Sequence, residues 1–449
     1  MTYPTAPPAV AAFDGPRGWW QGLRYGFMGF PLAFVALPLY VSWPNHWARA
    51  FGVSLATLGS LLLAVRLLDA VVDPLIGRWV DRLAGHGAVR EKAFHRFSAL
   101  TCVLLVMGFW ALFFPPVALR SGSETGLLVW AAGALVLTCL AFSALTVAHH
   151  AWGARYGGNA AQRSRVVGWR EGLGLAGVVV ASVVPTVAGL EALVAVMATT
   201  VVLGWWLWRQ SVPPGPGPAP GGLAPRPAAE APGHDTPALW APLRQPGFRR
   251  LLAVFVVNGM ASAVPATLVL FFVQDRLQAP AALEPLFLGS YFVCAAAAIP
   301  LWLRVVARVG LARAWWLGMG LSVLVFAWVL WLGQGDWWMF ALVCALSGVA
   351  LGADLVLPGA LLNGLIADQG HRHRSEGAYM GWWSFASKLN LAIAAGLALP
   401  LLGALGYAPG RQDESALWAL TLVYGLVPCV LKLVAAVLLH VFFLRKGPP

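Results

Sequence analysis

SVPPGPGPAPGGLAPRPAAEAPGHDTPALWAPLRQP, residues 211–246, carries eleven of the chain's 32 prolines and no apolar periodicity. That composition predicts an extended, polyproline-like linker over 210–246 rather than a packed element. On both sides of it the sequence turns apolar in stretches of roughly 20 residues, the length a helix needs to cross about 30 Å of hydrocarbon. Six such stretches precede the linker, near 23–43, 53–80, 97–119, 126–148, 171–190 and 191–208. Six follow it, near 248–273, 284–306, 314–333, 337–366, 378–402 and 416–444. The chain therefore reads as an N-terminal six-helix bundle (1–209), the linker (210–246) and a C-terminal six-helix bundle (247–449).

Composition supports the membrane reading. Of 449 residues, 59% are hydrophobic and 11% charged, where a soluble domain carries about 25% charged residues. A water-soluble enzyme and a disordered chain are both excluded. The net charge of +12 is read as loop charge that orients the protein in the lipid bilayer, not as a nucleic-acid footprint. With both termini inside, 23 Lys and Arg fall in cytoplasmic segments, and only Arg49, Arg120, Arg276 and Arg411 fall opposite. Tryptophans at span ends (Trp19, Trp20, Trp43, Trp47, Trp205, Trp206, Trp208, Trp337, Trp338) read as interfacial belts. The five cysteines sit in apolar stretches without CxxC spacing, so they read as small hydrophobes rather than disulfides or metal ligands. No signal peptide is visible, and the expected location is a bacterial inner membrane. Two six-helix bundles joined by a cytosolic linker are the plan of major-facilitator transporters, an all-α membrane protein with twelve transmembrane helices.

Charges within spans need a reason, because each costs about 2.5–3.5 kcal/mol at mid-helix. Span 2, AVRLLDAVVDPLIGRWVDR, places Arg66, Asp69 and Asp73 on one helical face. Two acids on adjacent turns can hold a proton or a small cation; alternatively Arg66 and Asp69 neutralise one another. In the second half, Asp354, Lys388 and Lys432 lie in spans 10, 11 and 12. Lys432 either snorkels or pairs with Asp354. Asn258 and Asn390 read as solute contacts or as interhelical glue. His149, beside His150 and without a carboxylate or thiol at ligand spacing, reads as a gating, interfacial or solute-facing group rather than a metal ligand. HRHRSE at 371–376 reads as a solvated loop or as a source of inter-helix salt bridges. No catalytic constellation and no ATP-binding motif is present, so no enzyme and no cofactor are expected.

Asp69-x3-Asp73-Pro74-x2-Gly77-x3-Asp81-Arg82 resembles the span-2 motif of the glycoside–pentoside–hexuronide:cation symporter family. Two further stretches are similar to that family: IAD (366–368) with SEGAYMGWWSFASKLN, and HHAWGARY followed by Arg163 and Arg170. The resemblance implies that Asp69 and Asp73 bind the coupling cation with Lys388 beside them, and that Arg170, Trp383 and Ser384 face the solute. Asn258, Asp354 and His149 complete the solute-facing candidates. Gly77, Asp81 and Arg82 form a candidate gate, with Arg82 alternatively only a basic anchor. The sequence departs from the family at three places. Phe30 and Pro31 stand where a span-1 acid is expected, Thr146 or Ala148 where a span-4 acid is expected, and Val72 where an amide completes a sodium shell. With fewer oxygen ligands, a proton is the expected coupling ion ahead of sodium, and Thr146 is the span-4 candidate for cation coupling. The expected function is cation-coupled symport of a sugar, glycoside or related polar solute by a monomer. The alternatives are an exporter or lipid-handling transporter, and a membrane sensor that moves nothing.

Overall fold

The computed structural model describes residues 13–15, 18–83, 88–120, 124–213, 239–372, 374–407 and 412–445. Most of the expected linker lies outside the described residues. The described part is helical, without a strand. In order the helices are α1 (Gly18–Gly26), α2 (Gly29–Leu37), α3 (Trp43–Phe51), α4 (Leu55–Leu83), α5 (Ala88–Phe113), α6 (Val117–Arg120), α7 (Glu124–Arg155), α8 (Ala160–Val187) and α9 (Gly189–Arg209). They continue as α10 (Ala241–Arg244), α11 (Pro246–Phe271), α12 (Glu284–Val309), α13 (Leu311–Phe326), α14 (Trp337–Asp368), α15 (Glu376–Ala404), α16 (Glu414–Thr421) and α17 (Val427–Leu439). Among the described residues, nine helices are long and apolar enough to cross a membrane. The other three expected spans fall on α1–α3, on α4 and on α15. The first is a chain of short pieces with a π turn at Pro38–Ser42, where the proline nitrogen has no hydrogen to donate. The second is a continuous helix that carries the span-2 charges.

By contacts the chain forms two compact units. Met1–Arg244 group with Asn363–Phe385, and Gln245–Leu362 group with Ala386–Pro449. In the first unit α4 packs on α7, α5 on α7 and α9, and α1 and α2 on α8. The α2–α8 contact is close because Gly29 has no side chain: a Cβ there would stand 2.3 Å from the Arg170 carbonyl oxygen. The start of α8 is fixed by a capping box, in which Asn159 and Gln162 each accept the other's backbone N–H at 2.9 and 3.0 Å. In the second unit α17 packs on α11 and α13, and an apolar core centres on Phe272, Phe287, Phe340 and Tyr424.

Trp19, Trp20, Trp206 and Trp338 are exposed, as belt residues must be. Trp43, Trp47 and Trp208 are not: all three are fully buried. They pack as core, and Trp47 Nε1 donates to the Leu112 carbonyl at 2.7 Å. A sequence position at a span end does not say which side of the helix faces lipid, and here these three face other helices.

Candidate functional site

Asp69 and Asp73 of α4 are 4% and 0% exposed. Ser143 Oγ of α7 donates to Asp69 Oδ1 at 2.6 Å. The far ends of α4 and α7 both meet the start of α15, through Asp81 and Arg155. The two helices therefore run the same way. Thr146 follows Ser143 in the direction in which Asp73 follows Asp69, and its buried Oγ1 has no hydrogen-bond partner among the described residues. The arrangement is two buried carboxylates one turn apart, with the Ser143 hydroxyl engaged on the first.

One helix away, Arg170 lies buried in α8. Its Nε and Nη2 donate to Glu171 Oε1 at 2.9 and 2.6 Å, and its guanidinium lies beside the Tyr25 hydroxyl. Tyr25 donates onward to the His149 carbonyl at 3.2 Å and stacks on the His149 ring at 4.5 Å. The Tyr25 carbonyl can only accept, so His149 Nε2, 2.9 Å away, carries the proton of that bond. The histidine is locked into the packing of α1 against α7.

A third cluster joins α4, α7 and α15. The first amides of any helix lack an internal acceptor. For α15 the carboxylate of Asp81, on another helix, accepts from Gly377 N at 2.6 Å and Ala378 N at 2.8 Å. Burial and the neighbouring Glu376 carboxylate push the Asp81 carboxyl, beyond the span end at residue 80, well above its usual range; the two amide bonds and Arg155 oppose that shift. Gly77 and Gly377 permit the approach, since a Cβ on Gly77 would stand 2.0 Å from the Gly377 oxygen. Glu376, 0% exposed, lies 3.5 Å from Arg155 Nε. Arg372 donates to the carbonyls of Arg155 and Tyr156, each at 2.7 Å. Arg372 and Glu376 thus tie helices together, and Glu376 in particular is no solvated loop residue. Arg82 is exposed; the group that reaches α15 is Asp81. Burial and Arg374 lower the His371 imidazole below its usual range, with Glu376 opposing.

The second unit holds its own charge cluster. Lys432 of α17 donates to Asp354 Oδ2 of α14 at 2.5 Å and to Ser262 Oγ at 3.2 Å. Asp354 Oδ1 accepts from Trp315 Nε1 at 2.9 Å and Asn258 Nδ2 at 3.1 Å. Lys432 therefore pairs with Asp354 rather than snorkelling.

The sequence profile of the MFS/sugar transport protein family matches residues 22–207 and 236–446. The chain belongs to this transporter family. No curated protein matches the chain in sequence. A bacterial homologue of the iron transporter ferroportin, solved in an outward-facing state, is similar at a TM-score of 0.66 and 16% identity, over 94% of this chain and 98% of that one. The Escherichia coli fucose:proton symporter is similar at 0.63 and 12% identity, over 95% and 99%. The human organic anion transporter MFSD10 is similar at 0.61 and 18% identity, over 97% and 100%. These likenesses show the all-α major-facilitator fold, and the family match together with the long apolar helices makes it a multi-pass membrane protein.

Within this MFS/sugar transport protein the candidate residues fall into separate groups. Asp69 meets Ser143 of α7, with Asp73 one turn further along α4, while Arg170 and His149 both lie beside Tyr25. Gly77 and Asp81 meet the start of α15. Asn258 and Asp354 meet in the second unit. Trp383 and Ser384, both half-buried, group with the first unit, and Lys388, also half-buried, with the second. Sequence reading missed Ser143, Tyr25, Glu171, Arg155, Ser262 and Trp315. Of these only Glu171, an acid next to Arg170 at the start of a span, carried a visible signal.

Proposed function

We propose that the protein is a proton-coupled symporter of a sugar, glycoside or related polar solute. It works by alternating access as a monomer in a bacterial inner membrane, with both termini cytoplasmic. The observation that carries this reading is the buried pair of carboxylates Asp69 and Asp73, one turn apart on α4, with the Ser143 hydroxyl of α7 donating to Asp69. A proton needs one carboxylate, whereas sodium needs several oxygens. Lys388 supplies balancing positive charge during the cycle, in keeping with the glycoside–pentoside–hexuronide resemblance. Arg170, fixed by Glu171 and Tyr25, offers donors to solute hydroxyls, with Trp383 and Ser384 as further solute contacts.

The test is uptake into proteoliposomes under an imposed proton or sodium gradient, over sugars, uronates and small organic acids. Proton-driven accumulation that disappears in Asp73→Asn and Asp69→Asn, while counterflow exchange persists, is the expected result. Wild-type accumulation in both variants ends the coupling assignment; uptake that follows sodium alone ends the choice of ion.

A further inference from the structure

The second unit contains buried acceptors that the coupling chemistry does not use. Asn258 of α11 and Asn390 of α15 are 4% and 5% exposed, and neither Oδ1 has a hydrogen-bond partner among the described residues. For Asn258 the orientation follows from chemistry. Asp354 Oδ1 is an acceptor, so the amide must turn its NH2 toward it, which leaves its oxygen pointing away. Trp315 and Lys432 hold Asp354 in place for that purpose. Asn390 lies over the next residue of α11: a Cβ on Gly259 would stand 1.9 Å from Asn390 Nδ2. Glycine at 259 leaves the space in which that amide sits. The Asn390 amide therefore lies against α11 at the residue that follows Asn258.

The geometry points to a hydroxyl-recognition subsite in the second unit, where the amide oxygens of Asn258 and Asn390 accept hydrogen bonds from hydroxyls of a neutral, polyhydroxylated solute. Charge selects the ligand class. Lys432 and Asp354 cancel one another, so the cluster offers an anion no net attraction, and two acceptor oxygens repel a carboxylate. An ammonium would meet the Lys432 charge. Neutral hydroxyls satisfy both acceptors without either penalty, which favours a neutral sugar or glycoside over a uronate. Asp354 and Trp315 act as positioning residues for Asn258. The inference rests on the reading of the chain as a transporter of a sugar-like solute, and it narrows that reading.

The experiment is calorimetric titration of the full-length protein in lipid nanodiscs. The probes are D-glucose, D-galactose and D-mannose, their monodeoxy derivatives and the matching uronates. The expected result is binding of at least one hexose, a weaker or absent uronate, and two hydroxyl positions whose removal each weakens binding about 3–10-fold. Asn258→Leu and Asn390→Leu should each weaken the parent hexose by a similar factor, and each should erase one of the two deoxy penalties. A merely structural role for the amides would not remove a penalty tied to one hydroxyl. Binding by no hexose, a preferred uronate, or penalties that persist in the folded variants overturns the subsite. If the variants fail to fold, fewer than two deoxy penalties in the unmodified protein overturns it alone. Hexose binding without proton-driven accumulation sinks the symport reading and leaves the subsite. Accumulation that is unchanged in both asparagine variants does the reverse.

Discussion

A buried carboxylate is stable in a membrane protein only when something donates to it, and at Asp69 that donor is Ser143 at 2.6 Å. Ser143→Ala removes a bond to a charged group, which is expected to cost about 1.5–3 kcal/mol. The measurement is thermal unfolding in detergent, where an unchanged midpoint would remove Ser143 from the site. The Lys432–Asp354 pair gives a larger expected effect. Lys432→Met removes the counter-charge of a largely buried carboxylate that keeps only neutral donors, a change worth about 3 kcal/mol, and combining it with Asp354→Asn should recover most of the loss. Asp69 and Asp73 could be read from sequence because an acid in a hydrocarbon-length apolar run is conspicuous. Ser143 and Tyr25 could not. A serine among alanines and a tyrosine near a tryptophan pair look like ordinary packing until the facing helix is known.

At the scale of an element, α15 begins with amides that its own turns cannot satisfy, and α4 supplies the acceptor. Asp81→Ala removes that acceptor and is expected to weaken the start of α15 by about 1 kcal/mol, the usual worth of a cap. Hydrogen exchange at Gly377 and Ala378 should accelerate, while exchange in α12 and α13 stays as it was. Gly77→Ala acts on the same contact by bulk rather than charge. A Cβ 2.0 Å from the Gly377 oxygen forces the two helices apart, so the same amides should lose protection although Asp81 is intact. The motif Gly77-x3-Asp81 was legible as a helix-end device through its family resemblance. Its partner was not, because the contact spans 296 residues of sequence. The π turn at Pro38–Ser42 and the burial of Trp43 and Trp47 were equally invisible. Hydropathy measures how apolar a segment is, and says nothing of which neighbours it packs against.

At the scale of the whole chain, the linker composition marks two sequence halves, whereas the contacts place 363–385 of the later half with residues 1–244. The grouping includes three polar contacts: Asp81 to the α15 amides, Arg372 to two carbonyls, and Arg155 to Glu376. Under the alternating-access cycle proposed above, such contacts are candidates to form in one state and part in another, and their strength would then set how often the protein changes state. The Arg155–Glu376 pair isolates this idea best, because both side chains are nearly inaccessible and their attraction is poorly screened. Arg155→Glu puts two carboxylates face to face, and Glu376→Arg does the same with two guanidiniums. Each single change should reduce solute counterflow about tenfold or more, since like charges held together in a dry site cost several kcal/mol. The double exchange restores an opposite-charge pair with its direction reversed, and leaves the Arg155 and Tyr156 carbonyls available to Arg372. Counterflow in the double variant should therefore exceed that of either single variant by several fold. A double variant as slow as the worse single one would mean that the pair only holds the fold together, and that the contacts of Asp81 and Arg372 govern the change of state.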